Sequence, residues 1–415
     1  MRVRFLFVHH NFPGQYLHIV RHLVQRREHQ VVFLTTPNAN RIPGVILAHY
    51  HFEAPAAGGI HPGAREFQTA LCRADAVAAA ARELKTKGFT PDVIVGHHGW
   101  GELLNLGDVW PGVPVLGYCE FYYRTSGLDV DFDPEFANIG SAASVRAMNA
   151  VNHLALTNGG MGQTPTAFQM STYPECFQNR ITLLREGVDL NACRPAPEVR
   201  RSDFRLGDLV FRPEKEVVTF LSRTLEPYRG FHVFMRSLPR LMRERPDLRV
   251  VVVGGTERGY GPKLASGTWK DHFLNEVRGK LDGERLHFVG RLDGGDHLRL
   301  FQRSDAHVYL TYPFVLSWSL REALACGTPV VCNDVAPVRE FVRDGVNGLL
   351  FPGFDPDVLA GKLLGLLDDP WLDGQLRDGA RVFAERHLAM EDYLRDYDAL
   401  LAQVVRGPGG AARAA

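Results

Sequence analysis

Short runs of β-branched and aromatic residues alternate with stretches of helical periodicity along most of this chain. This alternation constrains the fold most, because a strand that returns to the same sheet through a helix lies parallel to its neighbour. A chain of 415 residues also exceeds what one hydrophobic core normally supports. The sequence therefore predicts two α/β domains with mainly parallel sheets.

The predicted strands form two series. Those of the first half are Val3–Val8, Val31–Leu34, Val93–Val95, Val113–Leu116, Leu154–Thr157 and Ile181–Leu184. Those of the second half are Val217–Leu221, Arg249–Val253, Leu286–Val289, His307–Leu310, Val330–Cys332 and Gly348–Phe351. Helical periodicity predicts helices at Tyr16–Arg26, Ala64–Lys87, Gly230–Arg245, Val358–Leu367 and Met390–Val405.

The segment Asn191–Pro213 contains three prolines and no clear periodicity, so it is predicted to connect the two domains. We expect one Rossmann-like domain at residues 1–195 and a second at 196–385. A C-terminal helix at 386–406 is expected to pack back toward the first domain, and the tail at 407–415 to be disordered. Because open α/β sheets bind ligands at the carboxyl ends of their strands, both sheets are predicted to face one cleft.

The composition excludes several classes of protein. Lys and Arg total 47, as do Asp and Glu, so no overall basic field would attract nucleic acid. The N-terminus lacks the apolar core of a signal peptide, and no run approaches the ~20 apolar residues of a membrane-spanning helix. The six cysteines lack CxxC spacing, which argues against zinc or a disulfide framework. A cytoplasmic location is expected, with peripheral attachment to a membrane left open.

Residues 311–351 are the most informative for function. They predict a strand, a tight loop with Ser317 and Ser319, and a helix whose free N–H groups and dipole favour a phosphate-bearing ligand. Glu322, one turn further in, can bind ribose hydroxyls as acids do in dinucleotide folds. It can equally be an ordinary acid stabilised by the helix dipole, and Glu340 near the next helix has the same two interpretations.

Two arginines follow the first strand of the second series. Arg223 comes just after this strand and Arg229 precedes the next helix, so the two guanidinium groups can clamp a diphosphate. The alternative is a pair of solvated surface arginines, and their place at a strand end facing the predicted cleft favours the clamp. The glycine-containing strand end at His287–Leu292 can pass close to a flat base, or it is a routine turn.

Polar residues also follow strands in the first half. Gly14 follows the first strand and lets the backbone approach a phosphate or sugar. His97 and His98 follow the third strand, and Glu120 follows the fourth, where a carboxylate can handle an acceptor hydroxyl. The alternatives are structural histidines and a surface acid. The neighbouring Tyr122 and Tyr123 either offer a stacking surface for a ligand or are ordinary core aromatics.

Taken together, these segments resemble the retaining family 4 glycosyltransferases of the GT-B fold. The resemblance is close from about Thr182 to Leu367 and looser in the N-terminal half. The motifs that carry it are LREGVDL (184–190), LSRTLEPYRGF (221–231), VVVVGG (250–255), HFVGRL (287–292) and LREALACGTPVVCNDVAPVREFVRDGVNGLLF (320–351).

The resemblance implies a nucleotide-sugar donor held by the C-terminal domain. Arg223 and Arg229 would neutralise its diphosphate, aided by backbone amides near Ser317–Ser319. Glu322 would bind the ribose, and the base would face Arg291 and Leu292. The family uses neither a metal nor another cofactor. Accordingly, Asp129–Asp131 matches a DxD metal motif only in its letters.

The chain departs from the family at two places. The family usually has two glutamates eight positions apart, and Phe314 stands at the first of them while Glu322 is the second. The loop PFVLSWS replaces the usual EGFGL, which we interpret as a subgroup variant. Stacking of the sugar on Phe314 or Trp318 would then substitute for the missing acid. Glu120 stands where many members place a histidine near the acceptor.

The resemblance thus implies retaining transfer of a sugar from a nucleoside-diphosphate sugar to an acceptor hydroxyl. The candidate catalytic residues are Arg223 and Arg229, which would stabilise the departing diphosphate, and His98 and Glu120 on the acceptor side. A nucleotide-sugar epimerase and a non-catalytic nucleotide-sugar sensor remain alternatives. The sequence leaves open the base, the sugar, and whether the acceptor is a saccharide, a lipid-linked compound or a natural product.

Overall fold

The computed structural model describes residues 2–56, 58–136, 142–262, 264–293 and 295–406. The chain forms two compact units. The first contains the described residues within Met1–Thr125, Ile139–Glu186 and Glu391–Ala415, and the second those within Ser126–Asn138 and Gly187–Met390. The predicted disordered tail at 407–415 lies outside the described residues.

The first unit is built on a seven-stranded parallel sheet with the order β3-β2-β1-β4-β5-β6-β7. Its strands are β1 Arg4–Val8, β2 Gln30–Thr35, β3 Val45–His49, β4 Val93–His97, β5 Val115–Tyr118, β6 Met161–Thr164 and β7 Ile181–Leu183. The helices up to β7 are α1 Leu17–Gln25, α2 Arg65–Thr86, α3 Leu106–Val109, α4 Ala142–Met148, α5 Ala150–Thr157, α6 Ala167–Thr172 and α7 Glu175–Gln178.

The second unit contains a six-stranded parallel sheet with the order β12-β11-β10-β13-β14-β15, and a hairpin of β8 and β9. The strands are β8 Phe204–Leu206, β9 Leu209–Phe211, β10 Val217–Thr224, β11 Arg249–Gly255, β12 Leu286–Gly290, β13 Ala306–Tyr309, β14 Val330–Asn333 and β15 Leu349–Phe351. The remaining helices are α8 Pro197–Arg200, α9 Phe231–Glu244, α10 Trp269–Glu276, α11 Asp296–Arg303, α12 Trp318–Ala325, α13 Ala336–Arg339, α14 Pro356–Asp368, α15 Pro370–His387 and α16 Met390–Arg406.

Both cores have the form that the sequence predicts. The central strands are buried along nearly their whole length, because helices cover both faces of a parallel sheet. Helix α9 buries Phe231, Phe234, Leu238 and Leu241, which recur at helical spacing, and Phe234 stacks on Phe220 of β10 with ring centroids 4.8 Å apart. The prediction of two α/β domains is therefore confirmed.

Two predicted segments were wrong. Leu154–Thr157 is the end of helix α5, and the strand lies after it at Met161–Thr164, because so short an apolar run does not reveal its period. Asn191–Pro213 is not an irregular connection, since it contains α8 and the β8–β9 hairpin. Phe204, Leu206 and Phe211 of that hairpin are buried against β10 and β11.

The division into units also differs from the predicted boundary at 195/196. It falls between Glu186 and Gly187, and the described residues of 126–138 belong to the second unit, although the chain reaches them from the first. Most of α16 groups with the first unit. Within the described residues, no helix has both the length and the apolar character needed to cross a bilayer.

Candidate active site

In each unit the strand order reverses at one point. The sheet of the first unit extends in opposite directions from the pair β1 and β4, and that of the second from β10 and β13. Open α/β sheets bind ligands outside the carboxyl ends of their strands at such a switch point. The loops after these four strands are therefore where each unit should bind a ligand.

Arg229 lies at the switch point of the second unit. It ends a 3₁₀ turn at Pro227–Arg229 that follows β10. The side chain is largely buried, and its Nη1 donates to Thr311 Oγ1 at 3.0 Å and to the carbonyl of Val315 at 2.9 Å. A guanidinium carries five N–H donors, so these two bonds fix the group while leaving donors for an anion.

Gly230 allows this turn to pass close to β13. Its φ is +66°, and a Cβ at this position would lie 2.3 Å from Cβ of Leu310. Glycine alone fits both the backbone conformation and the space. The turn therefore places Arg229 directly over the end of the neighbouring strand.

Arg223 has a different environment from Arg229. It is the penultimate residue of β10, and its side chain is exposed, whereas Arg229 is 8% exposed. Of the two predicted phosphate-binding arginines, Arg229 follows β10 and is fixed by hydrogen bonds, whereas Arg223 lies at the end of β10 and is accessible to solvent.

The loop after β13 leads into helix α12, as predicted. Ser317 is the N-cap, and its hydroxyl accepts the backbone N–H of Ser319 at 3.3 Å and the Ser319 hydroxyl at 3.0 Å. The N–H of Ser317 donates to the Tyr309 hydroxyl at 2.8 Å. Trp318 is 41% exposed at the helix start, so it is the aromatic residue of this loop that a ligand can reach.

Phe314 is not available for stacking in the way the sequence suggested. Its side chain is 1% exposed and packs edge-on against Tyr228, with centroids 5.2 Å apart, and against Tyr260, with centroids 5.1 Å apart. Tyr228 in turn packs on Tyr312 at 4.6 Å. An aromatic cluster therefore occupies the place where the family usually carries its first glutamate.

Glu322 lies in the second turn of α12 with its side chain a quarter exposed. One carboxylate oxygen lies 3.6 Å from Nε2 of His297, which is carried by helix α11. Its accessibility agrees with the predicted ribose-binding role. Glu340 is the half-buried C-cap residue of α13, at the end of that short helix.

Arg291 and Leu292, the predicted base-binding residues, follow the last residue of β12. Arg291 is exposed and forms an ion pair with Glu257, which follows β11. Leu292 is partly buried and packs against the core beneath the β8–β9 hairpin. The backbone here turns at Gly290, whose φ is +68°.

Glu226 is a residue that the sequence analysis did not single out. Its carboxylate is 2% exposed and accepts the backbone N–H groups of Tyr260 at 3.1 Å and Gly261 at 2.8 Å. The hydroxyl of Thr224 donates to the same carboxylate at 2.9 Å. The only sequence signal was an acid inside the Arg223–Arg229 motif, and its two backbone partners lie more than thirty residues away.

In the first unit, Gly14 opens the 3₁₀ turn that follows the loop after β1. Its φ is +54°, and a Cβ there would lie 2.9 Å from the His9 ring. The glycine is thus required by the backbone and by the close approach of His9, whether or not a ligand also approaches it.

His97 and Glu120 form a pair at the carboxyl ends of β4 and β5. The backbone N–H of Gly99 donates to Nδ1 of His97 at 2.9 Å, so the neutral ring carries its proton on Nε2. This Nε2 lies 3.4 Å from a carboxylate oxygen of Glu120, whose side chain is partly exposed. The ring of Trp100 lies 5.3 Å from that of His97 and is 37% exposed.

His98 does not belong to this group. Its side chain is 1% exposed, its Nε2 lies 3.0 Å from the carbonyl of Met161, and a Cβ at Gly117 would lie 2.2 Å from its ring. Burial lowers the pKa of His98 to about 4, so the ring is neutral near pH 7. The structure thus gives His98 a partner within the unit, and His97 is the histidine that lies beside Glu120.

A buried carboxylate beneath this region also escaped the sequence analysis. Glu102 is fully buried, accepts the Tyr50 hydroxyl at 2.7 Å, and lies 3.5 Å from Nδ1 of His10. Burial alone would raise the pKa of Glu102, but His10, His9 and Tyr50 hold it below its usual value. The ring of His10 stacks on that of His9 with centroids 4.5 Å apart.

Four other residues that the sequence analysis named have structural partners. Tyr122 is partly buried, packs against Tyr173 and hydrogen bonds to His153, which does not favour the predicted stacking wall. Asp129 of the DxD-like sequence accepts the Tyr228 hydroxyl, and Asp131 accepts the N–H of Gly127 at 2.8 Å. Across the described ranges, no group of three or more His, Cys, Asp or Glu residues is arranged to hold a metal ion. Tyr123 packs on Phe121 with centroids 5.3 Å apart.

Family models match both halves of the chain. Residues 27–193 match the model described as Glycosyl transferase family 4 group, and residues 207–383 match the model described as Glycosyl transferases group 1. The chain therefore consists of two glycosyltransferase domains in this order. The motif subgroup with PFVLSWS is not distinguished by these matches.

Curated relatives of known activity match part of the chain. The D-inositol 3-phosphate glycosyltransferase of Mycobacterium marinum is 32% identical over 231 residues, which are 55% of this chain and 46% of the relative. The phosphatidyl-myo-inositol mannosyltransferase of Mycolicibacterium smegmatis is 32% identical over 197 residues, which are 46% and 45% of the two chains. The chain thus spans about half the length of these relatives.

Solved structures show the fold. Sucrose-phosphate synthase from Thermosynechococcus elongatus superposes with a TM-score of 0.73 at 18% identity. The superposition covers 97% of this chain and 99% of the synthase chain. Alr3699/HepE of Anabaena, in complex with UDP and glucose, superposes with a TM-score of 0.67 at 17% identity. This superposition covers 97% of this chain and 100% of the Alr3699/HepE chain. The architecture of two parallel-sheet domains is the GT-B fold.

Proposed function

We propose that this chain is a retaining glycosyltransferase that moves a sugar from a nucleoside-diphosphate sugar to an acceptor hydroxyl. The observation that carries the proposal is the position of Arg229, which is fixed at the switch point of the second unit by Thr311 and Val315. It lies where an open α/β sheet binds its ligand, beside the loop that leads into α12. The two glycosyltransferase domains support this assignment.

Arg223, Arg229 and the first N–H groups of α12 stabilise the departing diphosphate in this proposal. The bond between the anomeric carbon and the β-phosphate oxygen breaks while negative charge develops on the leaving group, and preorganised donors lower that barrier. Glu322 binds the ribose, and Arg291 and Leu292 border the base. The two guanidinium groups can neutralise this charge on the leaving group.

The first unit binds the acceptor in this proposal. The acceptor oxygen attacks the anomeric carbon, and its proton passes to the leaving phosphate, so the reaction is balanced without an enzyme base. Glu120 orients the acceptor hydroxyl, and Nε2 of His97 lies 3.4 Å from its carboxylate. The names of the relatives favour a polyol or its phosphate as acceptor, and a lipid-linked compound remains open.

The free thiols of all six cysteines support a reducing, cytoplasmic location.

A thermal-shift screen of UDP-, GDP-, ADP- and dTDP-sugars tests the donor, since a bound ligand stabilises the fold by mass action. One nucleotide series should raise the melting temperature. The corresponding nucleoside diphosphate should then be released when polyols, saccharides or lipid-linked acceptors are added. Binding without transfer would favour the sensor, and epimerised donor without acceptor would favour the epimerase. Failure of every nucleotide sugar to bind would refute the proposal.

A further inference from the structure

A short loop at residues 256–262 follows strand β11 and is fixed by the buried Glu226 and the partly buried Trp269. Glu226 accepts the N–H groups of Tyr260 and Gly261, and the indole N–H of Trp269 donates to the carbonyl of Pro262 at 3.1 Å. A Cβ at Gly259 would lie 2.0 Å from the Glu226 carboxylate. Two backbone bonds to one buried carboxylate, with no room for a larger side chain between, allow this loop little freedom.

The loop places the ring of Tyr260 beside Arg229. The guanidinium carbon of Arg229 lies 5.5 Å from the centroid of this ring. The ring contacts Phe314 at 5.1 Å and Tyr228 at 5.8 Å, yet Tyr260 is 41% exposed. An aromatic ring that packs against a buried cluster and is nevertheless 41% exposed can bind a ligand through its exposed part.

We propose that Tyr260 is a sugar-binding residue of the donor site and that Glu226 positions it. This inference rests on the proposed function. A diphosphate held by Arg229 places the attached sugar within reach of a ring 5.5 Å away. An aromatic face binds the apolar C–H face of a hexose. The donor sugar is therefore recognised by stacking.

The comparison of two ligands separates this role from a structural one. A nucleotide sugar reaches Tyr260 in our proposal, whereas the free nucleoside diphosphate does not. We therefore propose isothermal titration of the donor found in the screen, and of its nucleoside diphosphate, against Tyr260→Ala and Tyr260→Phe. Tyr260→Ala should weaken the donor by about fivefold to tenfold and the diphosphate by less than about twofold. Tyr260→Phe should retain donor binding within about twofold, since the ring remains.

Glu226→Gln tests the positioning role. The amide replaces one of the two acceptor oxygens with a donor, so one of the two backbone N–H groups loses its partner. The variant should weaken the donor more than the diphosphate, as Tyr260→Ala does. If it does not fold, Gly259→Ala displaces the loop from the other side and should give the same selective loss. Trp371→Ala, at a 75% exposed aromatic residue of α15, is the control and should change neither affinity.

Equal weakening of both ligands by Tyr260→Ala would overturn the inference, because it would show a general disturbance of the site. Unchanged affinity for both would overturn it as well. Either result leaves the proposed function standing, since the wild-type protein still binds its donor. Absence of any nucleotide-sugar binding by the wild-type protein would instead refute the proposed function itself.

Discussion

The guanidinium of Arg229 donates a hydrogen bond to the hydroxyl of Thr311 at 3.0 Å and thereby joins the turn after β10 to the loop after β13. These two strands are neighbours at the switch point of the sheet. One side chain therefore both holds the site together and, in our proposal, binds the ligand.

Replacing Arg229 should affect stability and activity together. Arg229→Ala removes the partners of Thr311 Oγ1 and of the Val315 carbonyl, which should lower the free energy of unfolding by about 1–3 kcal/mol. The loss of a donor to the diphosphate should raise the barrier to transfer by roughly 2–4 kcal/mol. Urea unfolding and kcat/KM measure the two effects, and a variant with wild-type turnover would contradict the placement of the diphosphate.

Replacing Arg223 should affect activity alone. Its side chain is exposed, so Arg223→Ala should change the free energy of unfolding by less than about 0.5 kcal/mol. The barrier to transfer should rise by roughly 2–4 kcal/mol, because a donor to the developing charge is lost. A stability loss equal to that of Arg229→Ala, with unchanged kinetics, would show that Arg223 is structural.

Glu322→Gln should weaken donor binding by about 1–2 kcal/mol if the carboxylate accepts hydrogen bonds from ribose hydroxyls, because bonds to a charged group exceed those to a neutral one. Titration with the donor measures the change. Glu214→Gln, an exposed acid of the same unit, serves as the matched control and should bind normally. If both variants bind the donor with the same affinity, Glu322 does not bind the ribose and only stabilises its helix.

His98 should make the protein sensitive to mild acid. Burial lowers its pKa to about 4, below the ordinary 6.5, so the unfolded chain binds a proton between these pH values and the folded protein does not. The stability is complete above about pH 6.5 and falls as the pH drops toward 4, by about 3 kcal/mol from this group. His98→Gln should show a shallower loss between pH 7.5 and pH 5 in urea unfolding. An unchanged pH profile would mean that His98 does not contribute.

Much of the fold could be predicted because its information is local. Strands such as β1 and β10 are buried on both faces, so they are continuous apolar runs that the sequence shows directly. The spacing of Phe231, Phe234, Leu238 and Leu241 likewise gives the buried face of α9. The same logic failed at Leu154–Thr157, where four residues, three of them apolar, fit a strand or the end of a helix equally well.

The candidate site was predictable only in part. Arg229, Ser317 and Glu322 follow from strand ends and a helix start, which are local features of the chain. His97 and His98 are adjacent in sequence, and nothing local distinguishes them. The tertiary structure decides, because one ring meets Glu120 while the other is buried against the carbonyl of Met161.

The sequence by itself thus determined the two parallel sheets and the loops that bear the chemistry, because hydrophobic periodicity and strand-end polarity are properties of short segments. Only the tertiary structure decided which of those side chains are fixed and which are open. Glu226 bonds to Tyr260, and Tyr50 to Glu102, across 34 and 52 residues of chain. Hydrogen bonds over such separations depend on how the elements pack, which no local pattern contains.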